Sequence, residues 1–329
     1  MATYKGIQGY TVQKLSSDPT ASSDTEGQLF YNSTTGKFKI SVSGVGAWAS
    51  GGALNTARQQ AAGVGTATAA LAAGGNTPPA TDISETYNGT SWTEGSNLNT
   101  ARMNAQGTGT ATAGMVVMGW GVSAGVPSTE YYDGTSWSTQ TGTVTRGGGY
   151  QSFGIAGASQ ASAMIFGGEP GTTYWQYSET WNGTSWSEGS NLTSGRQGPT
   201  GTGIVTAALC IGGYSPSATT KVESYDGTSW TETSTDLNSA RGQMGSSGTS
   251  TSCLAYGGNG ASALTESFNG STWTEVADLA TARYDMGDAQ APTNTITQAL
   301  AIGGATPSVT TLTEAWSDPT YTIKTVTVS

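Results

Sequence analysis

The stretch YNGTSWTEGSNLNTAR, Tyr87–Arg102, decides the reading of this chain because the chain keeps rewriting it. Its first half returns as YDGTSW (132–137), WNGTSW (181–186), YDGTSW (225–230) and FNGSTW (268–273). Trp48, Trp92, Trp137, Trp186, Trp230 and Trp273 recur at steps of 44, 45, 49, 44 and 43 residues. About ten residues after each stands one of the chain's six arginines: Arg58, Arg102, Arg146, Arg196, Arg241 and Arg283. A period of this length marks stacked units, none of which can bury its apolar faces alone.

Outward from that stretch, each arginine is followed by a run of small residues, then an apolar run ending in a glycine corner. The corners are Gly74-Gly75, Gly119-Trp120, Gly167-Gly168, Gly212-Gly213, Gly257-Gly258 and Gly303-Gly304. A loop of variable sequence leads to a Glu-x-aromatic strand, at Glu85, Glu130, Glu179, Glu223, Glu266 and Glu314. The unit is therefore four short strands in about 45 residues. Asn-Gly and Asp-Gly before the tryptophan predict two-residue hairpin turns. Runs such as GVGTATAALAAGG (63–75) suit an innermost strand, and each Trp suits a wider outer wedge, where burial removes about 150–250 Å² from water.

These markers, in this order, resemble the kelch repeat over residues 46–317. The resemblance implies an all-β fold, a six-bladed kelch-like β-propeller. One arginine and one glutamate per repeat predict buried pairs, since the guanidinium fork holds several acceptors at once; an anion-binding arginine cluster is the rival reading. The strand around Trp48 is expected to close the ring as the outer strand of the last blade. Tyr321, spaced from Glu314 as each blade Trp is from its Glu, offers a second way to close it.

Residues 1–45 do not repeat and read as an N-terminal attachment segment. EGQLFYNSTTGKFKISVSGVGAW (26–48) predicts a small β-hairpin, Gln28–Asn32 with Lys37–Val42, after an extended polar stretch. Residues 318–329 form a C-terminal strand. The GQLFYNSTTGKFK leader resembles a short element of tailed-bacteriophage tail-fibre and appendage proteins. Together with Gly/Ser/Thr-rich blades and the TIKTVTVS ending, it resembles structural proteins of marine phages, including those of cyanobacteria. That resemblance implies a virion protein joined to other virion chains through residues 1–45, with homo-oligomerisation left open.

Composition narrows the chemistry. Residues 46–317 hold six Arg and one Lys against eighteen Asp and Glu, a net charge of −11, which argues against sequence-independent nucleic-acid binding. No stretch approaches the roughly 18 apolar residues of a membrane helix, and the start lacks an apolar signal core; synthesis in the host cytoplasm is expected. Histidine is absent, which removes the commonest general base and metal ligand. YDGTSW lacks the spacer of a sialidase Asp-box, and no facing carboxylate pair emerges. Catalysis, metal and cofactor are therefore not expected. Cys210 and Cys253 are expected to be buried thiols.

A binding surface is the better expectation, since recognition concentrates on loops of rigid scaffolds. Trp120, Tyr174, Trp175, Tyr177 and Tyr214 fall in or beside the variable loops and are the candidate ligand- or partner-binding residues. The function expected is that of a non-enzymatic tail-fibre or appendage protein recognising a host-surface glycan or protein. A capsid or neck decoration or cement protein is the alternative.

Overall fold

The computed structural model describes residues 12–44, 46–145, 153–169, 174–289, 298–318 and 321–327. The chain is all-β; among the described residues the only helical turn is Ser23–Thr25. It divides into two compact units, residues 47–317 and residues 1–46 with 318–329.

The larger unit holds six four-stranded sheets in a blade-like arrangement, each running from an inner to an outer strand. The first comprises Ala62–Thr66, Ala69–Ala73, Ser84–Tyr87 and Trp92–Glu94, all antiparallel. The second to fifth begin at Gln106–Thr110, Gly154–Ser159, Thr200–Ile204 and Gly245–Thr249 and repeat that order. The sixth joins Gly287–Asp288, Gln298–Ile302 and Thr313–Ser317 to Ala47–Ser50, with Trp316 opposite Trp48. Of the two candidate closing strands, the one bearing Trp48 thus takes the outer position. Tyr321–Thr325 instead pairs with Lys37–Ser43 in the smaller unit. That unit's sheet is completed by Leu29–Asn32 and by Gln13–Leu15, which runs parallel to it.

Small residues line the inner strands because neighbouring sheets leave no room for larger ones. A Cβ on Gly107 would lie 2.6 Å from Val64 Cγ2, and one on Gly201 would lie 2.6 Å from Ile155 O. Hydroxyls bridge the remaining gaps: Thr108 Oγ1 donates to Gly157 O (2.8 Å) and Thr202 Oγ1 to Gly248 O (2.6 Å). Farther out the sheets diverge, and apolar cores fill the wedges. Trp137 of the second sheet packs with Val64 and Leu71 of the first, and Trp273 of the fifth with Leu209 and Ile211 of the fourth. Trp92 of the first packs with Leu300 and Ile302 of the sixth. The indole N–H reaches back to the preceding sheet: Trp92 donates to Thr313 Oγ1 (3.0 Å), Trp186 to Thr129 Oγ1 (2.9 Å) and Trp48 to Thr265 Oγ1 (3.0 Å). Val222 holds that place opposite Trp273, whose Nε1 is buried without an acceptor. Both cysteines are free and buried in these cores, and burial pushes both thiols up, Cys210 to about 12.

Arg58, Arg102, Arg196, Arg241 and Arg283 are buried, each paired through Nη2 with the glutamate of its own repeat. The Nη2–Oε1 distance is 2.7 Å for Arg241–Glu266 and 2.9 Å for Arg283–Glu314. Nη1 donates to strand-end carbonyls, as Arg241 does to Gly257 O (2.9 Å) and Leu264 O (2.7 Å). The glutamate also accepts from the connection leading into its sheet: Glu266 accepts Asn238 N and Nδ2 and Ser239 N. The five described arginines are thus committed internally, which counts against the anion-cluster reading. Arg146 lies outside the described residues; Glu179 of that repeat accepts Thr145 N at 2.8 Å.

Two details differ from the sequence reading. The corner of the second sheet is Met118-Gly119, not Gly119-Trp120: Met118 (φ +48°) and Gly119 (φ +126°) hold the dihedrals that Gly74 and Gly75 hold in the first. Met118 N donates to Ser128 O as Gly74 N does to Ile83 O. Burial of the Met118 side chain in a core offsets a backbone conformation that disfavours residues with a Cβ. The Asn-Gly and Asp-Gly loops, moreover, are four residues long, because Tyr87 pairs with Trp92. Asn88 Oδ1 accepts from Thr90 N (3.0 Å) and Ser91 N (2.9 Å), so the side chain builds the turn and only Gly89 has positive φ.

Arg241→Met, which strands the Glu266 carboxylate, should lower unfolding free energy by about 3–5 kcal/mol in a denaturant titration; a loss within error would show the pair to be idle. Val222→Thr offers Trp273 Nε1 the acceptor its counterparts have and should raise stability by about 1 kcal/mol. Destabilisation by that variant would contradict the assignment of the orphaned indole.

Candidate functional site

One edge of the larger unit gathers the connections that enter each sheet and the variable loops that follow each corner. They are tied by a repeated backbone bridge. The residue after the corner pairs with the residue after the arginine: Asn76 with Gln59, Trp120 with Met103, Tyr214 with Gln197 and Ala305 with Tyr284. Trp120 and Tyr214 therefore occupy one structural position in the second and fourth sheets, which the shifted corner makes plain.

Four of the five aromatic candidates lie in neighbouring loops, those of the third and fourth sheets. Trp175 and Tyr177 pack edge to face at 5.5 Å between ring centroids. Trp175 also leans on the core that contains Trp181 and Trp186. Tyr174 Oη donates to Pro216 O (3.4 Å), joining the loop of the third sheet to that of the fourth, which starts at Tyr214. All four are half-buried. Trp120, also half-buried, lies one sheet earlier and is held by reciprocal backbone hydrogen bonds with Met103. Glu169, whose carboxyl burial pushes up, accepts the Gln197 amide beside them.

Toward the inner strands of the same edge lies a second group that the sequence reading missed. Gln60, Asn104, Gly198, Gln243 and Asp285 each follow their arginine by two residues and each has φ between +53° and +59°. Their backbones are linked in series: Asn104 N donates to Gln60 O (3.0 Å), Gln60 N to Asp285 O (2.7 Å), Asp285 N to Gln243 O (3.2 Å) and Gln243 N to Gly198 O (2.9 Å). The sixth such position, residue 148, lies outside the described residues. These residues line a cavity of about 40 Å³, with Phe153, Met244 and Met286 among its walls. The signal was present in the sequence, since the second residue after every arginine is Gly, an amide or Asp.

Asp285 is the only charged side chain among the described residues that line this cavity. Burial pushes its carboxyl up to about 6, against the lowering effect of the hydrogen bond from Gln60 Nε2 (2.8 Å). The Tyr214 hydroxyl is pushed up to about 12, first by burial and then by the negative charge of Asp285. Asp133 and Asp226, in the outer turns, are held below the usual carboxylate range by backbone N–H donors. Among the described residues no group of three or more His, Cys, Asp or Glu side chains could hold a metal ion. No described helix is long and apolar enough to cross a membrane.

No protein-family model matches this chain, and no curated protein matches its sequence.

The folded chain holds the Asp285 proton more tightly than the unfolded chain does. That contribution to stability is present below the ordinary carboxylate range and is lost as pH rises through about 6. Asp285→Asn should gain stability relative to the parent as pH rises from about 4 to about 7, by about 1–3 kcal/mol. A difference independent of pH, in parallel denaturant titrations, would contradict the burial of this carboxyl.

Proposed function

We propose that this chain is a non-enzymatic virion protein of a tailed bacteriophage, a tail-fibre or appendage component. Its residues 47–317 form a six-bladed kelch-like β-propeller that recognises a host-surface glycan or protein. The observation that carries the reading is the division of labour within each repeat. Arg, Glu, Trp and the glycine corner are spent on the frame, while the loops that differ in sequence share one edge and carry four half-buried aromatics, of which Trp175 and Tyr177 pack together and Tyr174 bonds across to the next loop. Half-buried aromatic side chains on a rigid frame suit sugar rings and flat apolar patches. Contacts running from the sixth sheet to the first, through Gly304 and Arg58 and through Trp92 and Leu300, support a closed ring. The phage assignment draws on the leader and the ending of the sequence, and residues 1–45 are the proposed anchor to other virion chains.

The decoration or cement reading keeps the same fold and turns the aromatic edge toward other virion subunits. Immunogold labelling of intact particles with antibody against residues 46–317 separates the two. Label at fibre or tail tips is expected, together with weakened host adsorption by particles carrying Trp175→Ala. Label over the head or neck would select decoration, and unlabelled particles would refute an accessible virion protein.

A further inference from the structure

The cavity at the inner end of the variable-loop edge combines groups that the frame does not require. Backbone N–H and C=O groups of Gln60, Asn104, Gln243 and Asp285 carry the serial hydrogen bonds, so their side chains are free to differ. Glycine serves in the same place at position 198. Three amides and one acid nevertheless stand there, at positive φ, where side chains other than Asn and Asp are disfavoured.

The lining selects a class of ligand. Amide side chains both donate and accept hydrogen bonds, as a hydroxyl does. Among the described residues no Lys or Arg lines the cavity, which disfavours phosphate or carboxylate, and the one carboxylate they supply is too few oxygens of full charge for a calcium ion. Phe153, Met244 and Met286 add apolar wall to the polar groups, as a sugar presents both apolar faces and polar edges. A volume of about 40 Å³ is room for about three waters, at the 10–15 Å³ each requires. That is space for one or two inserted hydroxyl groups rather than a whole ring.

The wall beside the cavity fits the remainder of such a ligand. Tyr214 lies against two glycines: a Cβ on Gly198 would sit 3.5 Å from its Cδ2, and one on Gly242 would sit 2.5 Å from its Cε2. Those glycines clear the space in which the ring lies down beside the cavity. Asn76, Trp120 and Ala305 hold the same backbone position in other sheets, so among these four bridged sheets only the second and fourth carry an aromatic there.

We propose that this cavity is a binding site for a neutral sugar, which inserts hydroxyl groups among Gln60, Asn104, Gln243 and Asp285 and rests its ring on Tyr214. The inference deepens the recognition reading, and rests on it for its biological sense. It places the specificity-setting contact at the cavity, with Trp175 and Tyr177 outside it.

Saturation-transfer NMR on the full chain tests this, with methyl α-glucoside, methyl α-mannoside, methyl β-galactoside and methyl N-acetyl-β-glucosaminide at millimolar concentration as probes. Asn104→Gly and Gln243→Gly are the informative variants, because glycine is favoured at their φ values and the fold should be kept or strengthened. Transfer to at least one glycoside is expected in the parent chain. Binding about tenfold weaker is expected in each variant, the loss of about one hydrogen bond to a ligand, at an undiminished melting temperature. Absence of transfer to every probe, or equal binding by the parent and both glycine variants, overturns the assignment. Competition by the purified chain against particle adsorption is scored separately. Competition without sugar binding removes the cavity site and keeps host recognition, while sugar binding without competition does the reverse.

Discussion

A guanidinium and a carboxylate buried side by side organise every repeat of this chain that the structure describes in full. Taken alone, either charge would be too costly to bury, and a buried pair is stable only when its remaining donors and acceptors are met. Here they are met by backbone. The glutamate gathers N–H groups from the incoming connection, and the arginine gathers carbonyls from the ends of two strands. One ion pair thus fixes where a connection enters, where the second strand stops and where the third begins. With those points fixed, short strands register without long hydrophobic alternation, which the Gly- and Thr-rich sequence could not supply.

The same arginine carries the link between sheets through its backbone. Its carbonyl accepts the N–H of the second corner residue of the preceding sheet: Gly75 to Arg102 (2.7 Å), Gly213 to Arg241 (2.8 Å), Gly258 to Arg283 (3.0 Å). In the sheets where this approach is described it leaves no room for a side chain at the first corner residue; a Cβ on Gly167 would lie 2.8 Å from Arg196 O, at φ +67°. Gly304 N makes this bond to Arg58 O (2.9 Å), so the last sheet is tied to the first by the contact that ties every intermediate pair in which it is described. Tryptophan then seals the wedge outside the corner.

Much of this was legible because it repeats. Trp, Arg, Glu and the glycine corner each serve one frame contact, so each recurs at the period, and the strand order follows from their order. What escaped was set by geometry rather than residue type. Met118 takes a left-handed conformation that sequence rules reserve for glycine, which moved Trp120 out of the corner and into the loop position of Tyr214. The outer turns looked like two-residue hairpins because Asn-Gly is their usual signature, but side-chain acceptors such as Asn88 Oδ1 favour the longer loop. Gln60, Asn104, Gln243 and Asp285 were overlooked because their shared property is a backbone angle, and three different side-chain types conceal it. Among the aromatics, the sequence reading picked out Tyr174, Trp175, Tyr177 and Tyr214, but not that Tyr214 lies down beside the cavity.

Native-state hydrogen exchange at the seam tests the central claim most directly, that one arginine contact joins each sheet to the next wherever the described residues show it, the last to the first included. The amides of Gly304 and Gln60 close the seam, while those of Gly213 and Gly258 make the equivalent contacts inside the chain. Equal protection at all four, near the free energy of global unfolding, is the predicted result. Exchange at Gly304 and Gln60 as fast as in exposed loops, with Gly213 and Gly258 protected, would contradict it.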